Sequence, residues 1–250
     1  MIHFGMRSLV NARRLAPAAL LAAGLICAAT SLAAAQSTTA DSIATACIER
    51  DTSTAWQRLS EAWGNESGAH WTNAALREEL ITLGDSDQAV RRGLSVADSM
   101  RDAGFARRMA ARDSIDAAAL SRIIARYGWP TRSMVGARGA DAAFLVAQHN
   151  ASLQKTALRL MRALPRSEVS QANLAMLEDR VLVGEGKSQR YATQLTFSAD
   201  GKRMTFQPIQ DVEHLDARRA AAGLPPLTSY LCLMRVMYGR EVDDPRARKP

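Results

Sequence analysis

Hydrophobic residues recur every three or four positions along most of the chain, a pattern that predicts a succession of amphipathic helices. In the segment that begins at Asp113, for example, Ile115, Leu120 and Ile123 fall on one helical face. A second clear stripe covers residues 153–164. The full set of predicted helices is 41–62, 73–83, 85–112, 113–127, 140–150, 153–164, 170–184, 211–222 and a last one from Pro225-Pro226 to Tyr238, with a loop over Thr131–Gly139.

The pattern changes after residue 186. Tyr191–Phe197 and Arg203–Gln207 are rich in Thr, Phe and Tyr and flank Ala199-Asp200-Gly201, which predicts a β-hairpin near 191–207. Residues 241–250 are predicted to be a polar tail. The predicted fold class is mainly α, an irregular multi-helix domain with one late β-hairpin inserted between helices.

The first 35 residues have the pattern of a signal peptide. Arg7, Arg13 and Arg14 precede an uncharged run from Leu15 to Leu32, and Ala33-Ala34-Ala35 suits signal peptidase. Cleavage before Gln36 would lower the formal net charge from +7 to +4, because the removed segment carries three Arg and no acid. The alternative is an uncleaved membrane anchor.

Cleavage predicts a periplasmic or secreted protein with no stable membrane anchor. Residues 36–82 are then predicted to be an N-terminal helical extension, and residues 83–240 the helical core domain.

Composition argues against several classes of function. Four His and three Cys are scattered through the 250 residues, so no metal site is predicted. The basic pairs, such as Arg218-Arg219, are expected on solvated helix faces, so no nucleic-acid partner is predicted. No motif for a nucleophile, a phosphate loop or a dinucleotide is present, and no cofactor is expected.

Two cysteines remain in the exported chain, Cys47 and Cys232. In an oxidising compartment they could form a disulfide across 185 residues. They could equally be two separately buried thiols, because free Cys is among the most buried residue types. Both alternatives stay open at the level of sequence.

Several short motifs occur in a consistent order between about Leu83 and Tyr230. Their combination resembles an uncharacterised family of bacterial mainly helical domains, with Gly in that family at the position of Ala192. The resemblance implies a fold and a shared polar cluster, but no activity. The motifs are Tyr127-Gly128-Trp129-Pro130-Thr131, Val135-Gly136, Gln148-His149, Asp179-Arg180-Val181, Gly186…Gln189-x-Tyr191-x-Thr193-Gln194, Asp216-x-Arg218-Arg219-Ala220 and Gly223-Leu224-Pro225-Pro226-Leu227…Tyr230.

The polar motif residues define a candidate site. His149 borders the apolar face of its helix, and Asp179 is expected to be partly covered. We expect these two to converge with the remaining polar motif residues, namely Gln148, Arg180, Gln189, Tyr191 and Gln194.

Three functions are compatible with such a cluster. The first is an exported module that binds an unknown small molecule or protein. The second is a hydrolase-like enzyme in which Asp179 orients His149 as a general base. The third is a structural envelope protein in which the cluster is a buried hydrogen-bond network.

Overall fold

Helices dominate the structure, a computed structural model that describes Cys47 and residues 54–91 and 102–247. The mainly α prediction is confirmed. The predicted signal peptide lies outside the described residues. The elements are α1 (Thr54–Gly64), α2 (Ala74–Ala89), α3 (Ala103–Tyr127), α4 (Arg132–His149), α5 (Ala151–Arg162), α6 (Gln171–Gly184), β1 (Leu195–Phe197), β2 (Arg203–Phe206), a 3₁₀ turn (Val212–His214), α7 (Leu215–Ala221), α8 (Leu227–Tyr238) and β3 (Glu241–Val242).

Helix α2 is longer than its sequence pattern indicated. Its N-cap is Asn73, whose side chain accepts a hydrogen bond from the N–H of Leu76. Gly84 does not end the helix. A Cβ at Gly84 would lie 2.8 Å from the Cβ of Ala142, so this glycine allows α2 and α4 to pack closely.

Helix α3 begins at its N-cap Asp102 and runs without interruption to Tyr127. The predicted helix start at Asp113 is therefore wrong. Asp113 lies inside the helix, where its carboxylate accepts a hydrogen bond from Arg91. The first residue of the predicted stripe, Ile115, is 59% exposed and lies outside the buried face, which contains Phe105, Leu120 and Ile123.

The predicted loop at Thr131–Gly139 is helical on both sides of a single break. Thr131 caps the first turn of α4, and the chain is non-helical only at Gly136, with φ of 68°. Small and polar residues around this break hide the helical pattern in the sequence. Gly136 is required here because a side chain disfavours positive φ.

A carboxylate from outside the helix caps its second half. Glu66 Oε1 accepts from the N–H of Arg138 at 3.1 Å. Glu66 also pairs with Arg77, whose guanidinium lies 4.1 Å from the ring centroid of Trp71 and donates to the carbonyl oxygen of Val135. A helix N-terminus favours negative charge, so Glu66 stabilises the restart of α4.

The predicted hairpin is present and forms part of a larger sheet. Strands β1 and β2 are antiparallel, with Leu195 opposite Phe206. Strand β3 then pairs parallel to β2, with Val242 opposite Met204. The predicted polar tail is therefore wrong at its first residues, because Val242 is only 2% exposed and belongs to the core.

Two hydrophobic clusters hold the elements together. One contains residues of every helix from α2 through α6, among them Leu80, Leu120 and Phe144. The other joins the sheet to α7 and α8. The boundary expected between residues 82 and 83 falls inside α2, and α2 contributes buried side chains to the first cluster on both sides of it.

A disulfide links Cys47 to Cys232 of α8, with the two Cα atoms 5.7 Å apart. This separation is within the normal range for a disulfide. Of the two alternatives left open by the sequence, the structure contains the bridge.

Candidate functional site

His149 lies at the C-terminal end of α4 and faces the last turn of α2. Its Nδ1 lies 3.0 Å from both carboxylate oxygens of Asp87. The two side chains are almost fully buried, at 4% and 1% exposure. The carboxylate at His149 is thus that of Asp87, and not that of Asp179 as the sequence suggested.

Arg91 continues this network just beyond α2. Its Nη1 lies 2.8 Å from Asp87 Oδ1, and its Nη2 donates to Asp113 on α3. Asp87 and Arg91 are four residues apart, a spacing that places opposite charges side by side on a helix. That spacing is the signal by which the sequence could have identified Asp87.

The protonation state of His149 follows from its surroundings. Burial lowers the pKa of His149, Asp87 opposes this, and the positive charges of Arg91 and Arg180 add to the lowering. The imidazole is therefore neutral at pH 7. Because an ionised carboxylate only accepts hydrogen bonds, we assign the proton to Nδ1, which leaves Nε2 as an acceptor.

Three of the predicted site residues have side-chain polar atoms that are buried without a hydrogen-bond partner among the described residues, as are Nε of Arg91 and Nη2 of Arg219. In the three site residues these atoms are Nε2 of His149, both amide atoms of Gln148, and Nε and Nη2 of Arg180 on α6. Gln148 is 1% exposed. Burial lowers the pKa of Arg180 to about 10, and its charge acts on His149. We call Gln148, His149 and Arg180 the unpaired cluster.

Asp179 has a different role, as an anchor for the loop between α6 and β1. Its carboxylate accepts from the backbone N–H groups of Arg190 (2.6 Å), Tyr191 (3.1 Å) and Thr193 (3.1 Å), and from the Thr193 hydroxyl at 2.9 Å. Burial raises the pKa of Asp179, and these hydrogen bonds oppose that rise. Every one of these groups donates, so the carboxylate serves as an acceptor only.

Gln189 and Gln194 belong to the same loop. The side chain of Gln189 donates to the carbonyl oxygens of Gln194 and Gln207, at 2.9 and 2.8 Å. Its Oε1 accepts from the N–H groups of Thr193 and Gln194, both at 2.8 Å. Gln194 donates in turn to the Thr193 hydroxyl. This network links the loop to the residue that follows β2.

Arg219 anchors the loop from the opposite side. It is fully buried rather than solvated, and it donates to the carbonyl oxygens of Tyr191, Ala192 and Pro225. Its guanidinium lies 4.7 Å from the ring centroid of Tyr230. Ala192 has a positive φ of 53°, which fits the glycine that the resembled family has at this position.

The structure thus divides the predicted site into two groups. Asp179 is joined with Gln189, Tyr191 and Gln194 in the anchored loop. The other three predicted residues form the unpaired cluster, with Asp87 and Arg91 beside it. Sequence reasoning missed Asp87, Arg91 and Arg219; for Arg219 the sequence contains no signal, since an Arg pair on a helix usually lies at the surface.

The described residues do not support a metal site or a membrane span. No group of three or more His, Cys, Asp or Glu among them could hold a metal ion. None of the helices they form has both the length and the apolar character needed to cross a bilayer. Two surface clefts, one beside Arg235 and one beside Thr82, contain none of the predicted site residues.

Comparison with known proteins identifies the family. No curated protein and no solved structure matches the chain. The sequence pattern of one family, described as a family of unknown function (DUF6624), matches residues 74–243. This stretch runs from the start of α2 to just beyond β3 and is more than half of the chain. The chain therefore belongs to DUF6624, a family of unknown function.

Proposed function

We propose that this protein is an exported ligand-binding module and that the unpaired cluster is its binding site. The observation that carries the proposal is the set of buried polar atoms on Gln148, His149 and Arg180 that lack hydrogen-bond partners among the described residues. Such atoms are uncommon in folded proteins, and each needs an explanation.

The energetic cost of the unpaired cluster supports a ligand. Leaving a buried donor or acceptor unsatisfied costs about 1–3 kcal/mol, and more for a charged group. The buried polar groups of the anchored loop are better satisfied, since the carboxylate of Asp179 and the amide of Gln189 are fully engaged and Arg219 lacks a partner only at Nη2. A small molecule that hydrogen-bonds to the cluster would offset the cost.

Export is supported by two features of the chain. The basic start and the small-residue stretch at Ala33-Ala34-Ala35 match a cleaved signal peptide. The disulfide between Cys47 and Cys232 is of a kind that persists in oxidising compartments. The intact mass of protein recovered from the periplasm or medium should correspond to a chain that begins at Gln36. Full-length protein in the membrane fraction would contradict export.

The binding proposal is tested by thermal shift of the exported, disulfide-bonded protein against a library of small metabolites. A ligand that binds only the folded state raises the unfolding temperature by mass action. The variant Arg180→Met should abolish the shift. The control is Arg122→Met, the same change at an exposed residue of α3, which should leave it unchanged. Ligand shifts that survive Arg180→Met would place the site elsewhere.

General-base catalysis is a second candidate, favoured by one observation. Asp87 holds Nδ1 of His149, so the other ring nitrogen is left as a base that could accept a proton from a bound substrate. An enzyme would convert a ligand found in the screen, and Asp87→Asn would reduce the rate by more than it weakens binding. A ligand that is recovered unchanged would refute catalysis and keep binding as the function.

A further inference from the structure

A cleft of about 340 Å³ lies where the hairpin turn meets the end of α8. Lys202 comes from the turn, Arg235 from the last turn of α8, and Arg240 from the link between α8 and β3. Gly239 and Glu241 complete the lining. Three cations and one carboxylate give the lining a formal charge of +2. Because all these residues border one cleft, a ligand inside it lies beside all three cations.

Arg240 is held in place by two carbonyl groups. Its Nε donates to the carbonyl oxygen of Gly201 at 3.0 Å, and its Nη1 donates to that of Gly239 at 3.1 Å. The first of these bonds ties the hairpin turn to the end of α8. A side chain that is already ordered loses little conformational freedom when a ligand binds, so Arg240 is prepared for a ligand.

The cleft has hydrogen-bond donors to offer. The ammonium group of Lys202 is exposed and has no partner among the described residues. Arg235 donates from Nη2 to the carbonyl oxygen of Val242 at 3.0 Å, and this bond leaves the Nη1 side of the guanidinium for a ligand. The carbonyl oxygens of Gly201 and Gly239 already accept hydrogen bonds from Arg240. A molecule that brings acceptors therefore suits the cleft.

The carboxylates of this region do not neutralise the cleft. Glu241 is the one carboxylate in its lining, with Oε2 3.7 Å from Nε of Arg235 and with a side chain that is 70% exposed. An exposed ion pair of this kind contributes little, so a ligand can replace it. Asp243 pairs with Arg203, and Asp200 accepts hydrogen bonds from within its own turn. Positive charge is thus left for a ligand.

We propose that this cleft binds a phosphate monoester. A monoester carries a charge of about −1.5 to −2 at pH 7 and three strong acceptor oxygens, which complement a lining of charge +2. Small-molecule sites have volumes of about 300–1,000 Å³, so this cleft accepts the phosphate together with a small organic group. The cleft shares no residue with the unpaired cluster, and this second site goes beyond the proposed function.

The test is isothermal titration of the exported, disulfide-bonded protein with glycerol 3-phosphate and with acetate at equal ionic strength. We expect the ester to bind at least tenfold more tightly, because acetate has only one charge. Co-sedimentation with vesicles of phosphatidylcholine that contain phosphatidic acid tests a lipid source of the same group, with phosphatidylcholine alone as the control. Binding to either source supports the proposal and identifies that source. Binding to neither, or equal affinity for acetate, would refute it.

Two exposed residues of the lining locate the ligand. Lys202→Met should weaken binding at least fivefold, and the control Lys187→Met, at an exposed lysine outside the cleft, should not change it. Glu241→Gln removes the carboxylate of the lining and should strengthen binding at least threefold, whereas Glu213→Gln should not. An affinity that Lys202→Met leaves unchanged, or that Glu241→Gln does not raise, would overturn the site.

A further variant separates this cleft from the unpaired cluster. Arg180 does not border the cleft, so Arg180→Met should leave binding of the ester unchanged. Loss of ester binding in that variant would refute the cleft. A shift of the unfolding temperature by a phosphate ester is assigned to the cleft when Lys202→Met reduces it, so the two proposals can fail independently.

Discussion

Two buried arginines allow a direct test of whether the unpaired cluster is built for a ligand. Burial lowers the pKa of both Arg180 and Arg219 from 12.5 to about 10. Their hydrogen bonding differs sharply. Arg219 donates from Nε and Nη1 to the carbonyl oxygens of Tyr191, Ala192 and Pro225 and lacks a partner only at Nη2, whereas both Nε and Nη2 of Arg180 are unpartnered.

The lowered pKa gives the size of the expected effect. At about 1.4 kcal/mol for each pKa unit, a fall from 12.5 to about 10 means that the charged form of Arg180 costs the folded state about 3 kcal/mol. Met keeps the apolar stem and removes the charge. Without ligand, Arg180→Met should therefore raise the free energy of unfolding by about 1–3 kcal/mol.

The matched change Arg219→Met should have the opposite sign. It removes an equally costly charge, but it also leaves the buried carbonyl groups of Ala192 and Pro225 and the partly buried one of Tyr191 without their donor, and it releases the loop that contains Ala192. Since each unsatisfied buried group costs about 1–3 kcal/mol, we expect a net loss of at least 2 kcal/mol.

The assay is urea denaturation of the three proteins at pH 7 with the disulfide intact, followed by circular dichroism. The predicted order of unfolding free energies places Arg180→Met above the unaltered protein and Arg219→Met below it. A loss of more than 1 kcal/mol in Arg180→Met would mean that the guanidinium is well satisfied in the folded protein. In that case the central observation behind the binding proposal would be wrong.

Three further predictions concern stability. Asp179→Asn should lower the free energy of unfolding by about 2–4 kcal/mol, because an amide N–H₂ would then face backbone donors. Urea denaturation measures this loss, with the exposed Asp85→Asn as the control. A loss below 1 kcal/mol would contradict the anchoring role. The disulfide links residues 185 positions apart, so its reduction should lower the free energy of unfolding by about 5 kcal/mol in the chain-entropy account. The urea midpoint of unfolding should fall when reductant is added. An unchanged midpoint would contradict the bridge. Because burial lowers the pKa of His149 below 6.5, the unfolded chain takes up a proton that the folded protein does not. Stability should therefore fall by up to about 1.4 kcal/mol per pH unit as the pH drops below 6.5, and His149→Gln should remove this component of the pH dependence; an identical slope in the variant would refute it.

The helical architecture could be predicted from the sequence because periodicity reports buried faces directly. Helices α5 and α6 and the hairpin were found for this reason. The breaks were harder, since they depend on contacts that are distant in sequence. Gly84 continues its helix because Ala142 packs against it, and Gly136 interrupts its helix where Glu66 supplies the cap.

The candidate site could be predicted from the sequence only in part: its seven residues fall into two groups, and the partners of His149 were missed. The motifs contain Gln148, His149 and Arg180, whose buried atoms are unpartnered. Which carboxylate meets His149 depends on how α2 crosses α4, and sequence spacing carries no information on that crossing. Asp179 and Asp87 are both acidic residues near a helical core, and only the three-dimensional packing distinguishes a loop anchor from a histidine partner.

The salt bridge between Glu66 and Arg77 has a consequence for how this domain can be isolated. The family match begins at residue 74, after Glu66 and Trp71 and far from Cys47. A recombinant fragment cut at that boundary would contain Arg77 without its carboxylate, an uncapped restart at Arg138 and an unpaired thiol at Cys232. The region recognised by sequence comparison is therefore smaller than the unit that folds, and expression of this protein should begin upstream of Cys47.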